Sequence, residues 1–175
     1  MNHNGPIPDS YWVVPGRVLA GSYAGAGNDD AARARLAVFR EAGINCFIDL
    51  TEEGEYSLRP YAALIGDGDA VEYRRHAIRD FGCPSVDDMR AILDTIDAAV
   101  AAGRTVYVHC YGGVGRTGTV VGCYLVRHGR APLDALGAIE RWREGTLDAH
   151  RRSPETDVQK RFVLAWREPG RPRLP

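Results

Sequence analysis

Hydrophobic residues recur with two different spacings along the chain, and these spacings predict most of its strands and helices. Short runs rich in β-branched and aromatic residues predict five strands, at 11–14, 17–20, 44–50, 71–78 and 105–109. The first two strands flank Pro15-Gly16, so they are expected to form a hairpin.

Between the strands, apolar residues recur every three or four positions, which is the period of an amphipathic helix. The predicted helices span 29–42, 58–66, 86–102, 116–128, 133–143 and 154–166. The third follows an N-cap at Ser85 and ends at Gly103, while the Gly/Asp cluster at 66–69 ends the short second helix. Ser153-Pro154 predicts an N-cap and a first helical residue for the last helix.

Helices that separate strands require crossover connections, which join parallel strands. The predicted fold class is therefore α/β, with a largely parallel central sheet and helices on both faces. No repeat or linker divides the chain, so we expect a single domain over 1–175, with loose termini at 1–8 and 168–175. Ligands collect at the carboxyl ends of parallel strands, which selects the loops 51–57, 79–84 and 110–116.

Composition narrows the choice of partners. A net charge of −1 gives no reason to expect nucleic acid or a membrane surface as partner. The first residues, MNHNGPIPDS, do not resemble a signal peptide, and no apolar run is long enough to span a bilayer, so we expect a monomer in the cytoplasm. The four cysteines lack CxxC or metal-ligand spacing, which predicts free thiols and no metal or other cofactor.

The densest chemical pattern is VYVHCYGGVGRTGT at 106–119. A nucleotide-binding GxxxxGK[ST] loop would need glycine and lysine where Cys110 and Arg116 stand. The same residues instead suit a phosphate cage between a strand and a helix N-terminus. Its backbone N–H groups at 111–116 would converge on the anion, with Gly112, Gly113 and Gly115 supplying positive φ angles or close approach.

Arg116 and Cys110 carry the chemistry predicted for this cage. Arg116 offers a planar fork that matches two oxygens of a tetrahedral oxyanion. A helix N-terminus and a nearby cation also favour the thiolate form of a cysteine, so Cys110 is the predicted nucleophile. The predicted substrate-binding residues are Tyr111, Gly112, Gly113, Val114, Gly115 and Arg116.

HCYGGVGRTG resembles the HCxxGxxR signature of the cysteine-dependent protein tyrosine and dual-specificity phosphatases. His109, Cys110, Gly113, Arg116 and Thr117 match its positions. The order of elements from about 11 to 167 is also similar to that of the small dual-specificity members. The resemblance implies a phosphotyrosine-phosphatase-like fold and two-step hydrolysis of a phosphate monoester through a phosphocysteine.

Further residues receive roles in this scheme. Asp80, in the loop after the second parallel strand, is the predicted general acid, since the related enzymes carry their acid on the corresponding loop. Glu52 and Glu53 are weaker alternatives. Thr117 is expected to hydrogen-bond the departing sulfur, and His109 to orient the loop from the opposite side of its strand. The only glutamine, Gln159, is placed on a surface helix and receives no role.

Substrate choice stays open at this level. The cage interior lacks lysine, which favours phosphoprotein or small phosphate esters over inositol lipids. The alternatives are a catalytically weak phosphoprotein-binding domain, a phosphoinositide or small-molecule phosphatase, and a sulfurtransferase. Cys83 is a candidate for a protective disulfide with Cys110 under oxidation.

Overall fold

A central five-stranded sheet organises the protein, whose computed structural model describes residues 3–66 and 70–168. The strands are β1 Ser10–Val14, β2 Val18–Gly21, β3 Cys46–Asp49, β4 Glu72–Arg75 and β5 Val106–His109. The helices are α1 Asp29–Glu41, α2 Val86–Ala101, α3 Gly115–Arg127, α4 Pro132–Arg143 and α5 Asp157–Ala165. Two short 3-10 turns lie at Glu55–Ser57 and Ala62–Leu64.

The strand order is β1-β2-β5-β3-β4, with β1 antiparallel to β2 and the other neighbours parallel. The predicted α/β class with a largely parallel sheet is thereby confirmed. β3, β4 and β5 run in the same direction, so their carboxyl ends lie at one edge of the sheet. Asp49 pairs with both Arg75 and His109 at that edge.

Side chains alternate between two apolar layers along each inner strand. On one face, Ile48 and Val108 pack with the helices α2 to α5, which form the larger core cluster. On the other, Phe47 and Tyr107 pack against Phe39 of α1 in a cluster rich in aromatic rings. The sheet is thus covered on both faces, as the apolar composition of its strands requires.

The start of α5 differs from its prediction. The helix begins at Asp157 rather than at Pro154, because Thr156 and Gln159 form the capping box that starts it. Ser153 cannot serve as the cap, since its hydroxyl is buried and donates to the Val114 carbonyl (2.7 Å). The Ser153-Pro154 bond is cis.

Two other predictions need correction. The stretch 58–66 forms only the 3-10 turn Ala62–Leu64, not a longer helix, and most of the predicted cluster at 66–69 lies outside the described residues. Residues 3–8 are not loose: the His3 carbonyl accepts from Trp12 N–H (2.7 Å), and Ile7 is buried. Nearly all of 168–175 lies outside the described residues.

Among the helices of the described residues, none has the length and apolarity needed to cross a bilayer.

Candidate active site

The three loops selected from the sequence meet at the guanidinium of Arg116. Its Nη1 donates to the carbonyl of Leu50 at the end of β3 (3.4 Å) and to that of Ile78 beyond β4 (3.1 Å). Arg116 itself lies in the first turn of α3, which begins at Gly115 after the β5 loop. One buried side chain therefore ties together the carboxyl ends of all three strands.

Cys110 directly follows β5 at the start of the loop and is only 3% exposed. In the described residues, the backbone N–H groups at 111–114 donate to no other protein group. The first N–H groups of a helix also lack an intrahelical acceptor, so those of Gly115 and Arg116 add to the set. Backbone N–H groups grouped at a helix N-terminus are suited to receive an anionic ligand.

The three loop glycines serve different purposes. Only Gly113 has a positive φ (70°), and a Cβ there would lie 2.4 Å from the backbone carbon of Gly21. Gly112 and Gly115 have no positive φ, so the expectation of left-handed backbone is wrong for them. At Gly115 a Cβ would approach the Gln159 side chain to about 3.0 Å, so this glycine allows a close approach of α5 to the loop.

Glu55 holds Arg116 from outside the cage. Its two carboxylate oxygens each accept from one terminal nitrogen of the guanidinium at 2.6 Å, and both side chains are almost fully buried. The Glu52 N–H also donates to Glu55 (3.0 Å). Sequence reasoning missed Glu55, since nothing local distinguishes it from Glu52 and Glu53, whose side chains line a cleft beside the cage.

This pairing decides which edge of Arg116 faces a ligand. Nη1 and Nη2 are engaged end-on by Glu55, while Nε donates to none of the described residues. The Nε–Nη2 edge is therefore the one that can hold two oxygens of a phosphate. Burial alone would lower the pKa of Arg116, but hydrogen bonding to Glu55 and the charges of Cys110, Glu55 and Asp80 outweigh it and raise the pKa.

Asp80 lies at this edge of the site. One carboxylate oxygen is 3.0 Å from Arg116 Nη2, and the other accepts from the Tyr56 hydroxyl at 2.5 Å. Asp80 thus occupies a hydrogen-bonding position on the edge that can also bind a phosphate oxygen.

Each of the three loops of the site carries an exposed aromatic ring. Tyr56, Phe81 and Tyr111 are the exposed aromatic rings among the large apolar side chains of the described residues. Each comes from a different one of the three loops, and each directly follows Glu55, Asp80 or Cys110. The Tyr56 and Tyr111 rings lie 5.0 Å apart, and Tyr56 and Phe81 adopt positive φ (49° and 59°). Non-glycine residues rarely adopt this conformation, and such strain clusters at functional sites.

His109 lies across the strand from Cys110, among the aromatic rings of the α1 face. Its Nδ1 contacts the Cys110 carbonyl (3.2 Å), and its Nε2 contacts the Tyr61 hydroxyl (2.5 Å). Burial lowers the pKa of His109, so the ring is neutral near pH 7. This geometry suits the orienting role predicted for it.

Asp49 forms a buried polar hub beside His109. Its carboxylate accepts from the backbone and hydroxyl of Thr51 (2.9 and 2.7 Å), from the Tyr73 hydroxyl (2.7 Å) and from Arg75 (3.3 Å). Burial acts to raise the pKa of Asp49, yet His109 and the bonds from Thr51 and Tyr73 lower it overall. These partners engage Asp49 beneath the loop that carries Glu55.

Thr117 and Gln159 differ from expectation. The Thr117 hydroxyl donates to the Gly21 carbonyl (3.4 Å), and no bond to the sulfur occurs among the described residues, so that role stays a prediction. Gln159 is fully buried rather than on the surface. It accepts from the Thr156 N–H (3.1 Å) and donates to the Gly82 carbonyl (3.0 Å), which links α5 to the Asp80 loop.

All four cysteines are free thiols, as expected. Burial raises the pKa of Cys83, which disfavours its thiolate. The disulfide between Cys83 and Cys110 stays a prediction.

Comparison with known protein families gives a match over most of the site. A family model described as "Polymorphic toxin system, DSP-PTPase phosphatase" matches residues 22–130, which include Glu55, Asp80 and Cys110–Arg116.

Individual relatives extend this match. The chain is 33% identical over 133 residues to the putative tyrosine phosphatase 067L of Invertebrate iridescent virus 3, covering 70% of this chain and 53% of that protein. It is 44% identical over 94 residues to the phosphatidylglycerophosphate phosphatase PTPMT2 of Arabidopsis thaliana, covering 51% of this chain and 38% of that protein. The chain spans about half the length of these curated relatives or less. The crystal structure of Tk-PTP in its active form superposes with a TM-score of 0.70 at 28% identity, covering 89% of this chain and 94% of Tk-PTP.

Proposed function

The chain belongs to the DSP-PTPase phosphatase family, and we propose that it hydrolyses phosphate monoesters of phosphoproteins through a phosphocysteine at Cys110. The family match confirms the resemblance drawn from the HCYGGVGRTG signature. One observation supports the proposal above all: Glu55 holds Arg116 by its two terminal nitrogens, which leaves the Nε–Nη2 edge available in the same loop as Cys110 and the N–H groups without a protein acceptor.

The arrangement supports a two-step reaction. The cage binds the phosphoryl oxygens, and the Cys110 thiolate attacks phosphorus as the bond to the ester oxygen breaks. Asp80, displaced from Arg116 and protonated, gives its proton to the leaving oxygen. Water then attacks the phosphocysteine, Asp80 takes one of its protons, and the electron pair of the S–P bond returns to sulfur. Inorganic phosphate leaves the cage.

We propose an aryl ester such as phosphotyrosine as the preferred substrate. The rings of Tyr56 and Tyr111 are exposed and lie 5.0 Å apart beside the cage loop, where a phosphotyrosine ring would pack against them, and Phe81 is exposed on the Asp80 loop. Aromatic pairs contribute about 0.5–1.5 kcal/mol beyond their buried area. Phosphoserine and phosphothreonine lack a ring, so they are expected to react more slowly.

A lipid phosphate monoester is a second candidate. The 44% identity to PTPMT2 over 94 residues favours it. The cage interior at 111–115 holds no lysine for further phosphate groups, which favours the phosphoprotein.

The deciding experiment measures hydrolysis of p-nitrophenyl phosphate by the wild type and by Cys110→Ser, Arg116→Ala and Asp80→Asn. Each variant is expected to lose at least about 100-fold in kcat/KM, with Asp80→Asn losing more on an alkyl ester because its leaving oxygen needs the proton. Full turnover by Cys110→Ser would refute covalent catalysis at this residue.

The same assays distinguish the alternative functions. Phosphate binding without turnover in the wild type would indicate a binding domain, and activity on thiosulfate would indicate a sulfurtransferase. Phosphotyrosine, phosphoserine, phosphothreonine, phosphoinositide and phosphatidylglycerophosphate substrates then rank the specificity.

We further propose that the chain acts in the cytoplasm as a monomer on a phosphoprotein or small phosphate ester, without nucleic acid, a membrane or a metal. The near-zero net charge and the four free thiols support this assignment. Size-exclusion chromatography with light scattering tests the monomer, and cell fractionation tests the location.

A further inference from the structure

A second concave site lies beside the cage. This cleft has a volume of about 210 Å³. It is lined by Tyr23, Thr51, Glu52, Glu53, Gly54, Leu58, Pro60, Ala62, Tyr73 and Arg75. Drug-sized ligands usually occupy pockets of about 300–1,000 Å³, so this cleft suits something smaller, such as one long side chain.

The cleft and the cage share walls. Gly54, which lines the cleft, directly precedes Glu55, which holds Arg116 in the cage. On another side, the Tyr23 N–H donates to the Tyr111 carbonyl (2.9 Å), and Tyr111 belongs to the cage loop. A peptide whose phosphorylated residue enters the cage would therefore pass within reach of the cleft with a neighbouring residue.

The cleft carries unbalanced negative charge. Glu52 and Glu53 are exposed, and neither carboxylate forms an ion pair with another described residue. The one cationic lining residue, Arg75, is already balanced by the buried carboxylate of Asp49 (3.3 Å). A cation entering the cleft would meet two unpaired carboxylates and no unpaired positive charge from its lining.

The remaining walls suit the apolar stem of such a cation. Leu58, Pro60 and Ala62 offer aliphatic surface, and the rings of Tyr23 and Tyr73 offer π faces. The guanidinium of Arg75 already lies 6.0 Å from the centroid of the Tyr73 ring. Lysine and arginine bury their stems along apolar surface while the charged end remains near water and carboxylates.

We propose that this cleft is an accessory subsite that binds a lysine or arginine side chain close to the phosphorylated residue of the substrate. The inference rests on the proposed phosphoprotein phosphatase function. It adds a sequence preference that the phosphate cage, which reads only the phosphate and the ring beside it, cannot provide.

The test uses phosphotyrosine peptides in which each position from −4 to +4 carries in turn lysine, alanine or glutamate. Lysine at one or two positions is expected to raise kcat/KM roughly 3- to 10-fold over alanine, and glutamate to lower it, by the strength of exposed ion pairs and cation–π contacts. The double variant Glu52→Gln/Glu53→Gln should lose this preference and hydrolyse p-nitrophenyl phosphate at the wild-type rate. Glu41→Gln, an exposed carboxylate at the end of α1, is the matched control and should keep the preference.

Peptide binding to Cys110→Ser, measured by fluorescence anisotropy, separates the two proposals. If the wild type lacks turnover but Cys110→Ser binds lysine peptides more tightly, the phosphatase assignment fails and the subsite stands. If turnover is normal but no position distinguishes lysine from glutamate, or the double variant keeps the preference, the subsite is refuted. Free alkylamines that inhibit peptide hydrolysis only with Glu52 and Glu53 intact would support it. High salt should weaken the preference, because salt screens exposed charges.

Discussion

Glu55 forms an end-on ion pair with Arg116, in which each carboxylate oxygen lies 2.6 Å from one terminal nitrogen of the guanidinium. The pair is nearly closed to solvent, with side-chain exposures of 6% and 2%. A guanidinium held in this way cannot rotate freely about its last bonds, so its remaining edge stays aimed into the cage. Breaking a buried pair is costly, because it leaves one charge unpaired in a poorly solvated place.

Replacing Glu55 with glutamine should therefore damage both activity and stability. The amide keeps one acceptor oxygen but loses the charge and the second bond to Arg116. We expect kcat/KM for p-nitrophenyl phosphate to fall roughly 10- to 100-fold through misplacement of the guanidinium. The free energy of unfolding should fall by about 1–3 kcal/mol. Steady-state kinetics and urea denaturation measure the two effects.

Glu53→Gln provides the matched control for this prediction. Glu53 lies two residues earlier in the same loop but is exposed and lines the cleft instead of the cage. Its substitution should leave both measurements at the wild-type values. Equal kinetics for Glu55→Gln and Glu53→Gln would show that the Glu55–Arg116 pair does not orient the cage.

The loop glycines give a second prediction, because the structure separates them. Gly113→Ala would place a Cβ 2.4 Å from the Gly21 backbone at a φ of 70°, so neither side can relax cheaply. We expect the free energy of unfolding to fall by about 2 kcal/mol or more. At Gly112 a Cβ would come no closer than 3.4 Å, to the flexible end of Arg151. Gly112→Ala should thus change stability by less than about 1 kcal/mol.

Urea denaturation of the two alanine variants side by side measures this difference. Comparable losses at both positions would mean that the close approach of Gly113 to Gly21 does not restrict the loop.

The cage and the sheet were predictable because their signals are local or periodic. Cys110 and Arg116 stand six residues apart in one loop, with glycines between them. The parallel direction of β4 and β5 follows from the helix α2 between them, while β3 and β4 are joined by a long crossover that holds only the two 3-10 turns. The shared direction brings Asp80 to the edge where Cys110 lies. Each step used only neighbouring residues or a repeating pattern.

Glu55 and Gln159 escaped prediction because their partners are distant in the sequence. Glu55 meets Arg116 across 61 positions, and Gln159 meets Gly82 across 77. The loop around Glu55 also has an irregular backbone, with positive φ at Tyr56 and Ser57. No period indicates which of three glutamates turns inward. For Gln159, the Thr156–Gln159 capping box was readable, but Pro154 gave a competing start for α5.

The buried position of Gln159 leads to a third prediction. Gln159→Leu keeps a similar volume but leaves the Gly82 carbonyl and the Glu155 and Thr156 N–H groups without their partner. Unpaired buried groups cost about 1–3 kcal/mol each, so the free energy of unfolding should fall by at least about 2 kcal/mol. Because Gly82 lies two residues after Asp80, kcat should fall more for an alkyl phosphate than for p-nitrophenyl phosphate.

The control for Gln159 is Arg161→Leu, which introduces the same side chain at an exposed position of α5. It should leave the ratio of alkyl to aryl turnover unchanged. A stable Gln159→Leu variant with an unchanged ratio would show that α5 does not position the acid loop.

The buried hub at Asp49 predicts how stability depends on pH. Its folded-state pKa lies below the value of about 3.9 for an unfolded chain, although burial opposes this, because His109, Thr51 and Tyr73 favour the ionised form. A carboxyl with a lowered pKa contributes stability that is fully present above about pH 3.9 and is lost as pH falls through the folded-state pKa. Asp49→Asn removes the charge, and its amide offers an acceptor oxygen to only some of the donors that Asp49 accepts from. We expect it to be less stable by about 1–3 kcal/mol at pH 7.

Urea denaturation of the wild type and Asp49→Asn from pH 7 to pH 2.5 tests this sign. Other carboxylates titrate in both proteins, so the difference between the two unfolding free energies isolates Asp49. Asp49 loses its charge only as the pH falls through its folded-state pKa, so that difference should shrink below about pH 4. Glu41→Gln, at an exposed site that forms no ion pair among the described residues, should differ from the wild type by less than about 0.5 kcal/mol throughout. A difference for Asp49→Asn that does not shrink between pH 4 and pH 2.5 would mean that the hub holds the neutral acid rather than the carboxylate.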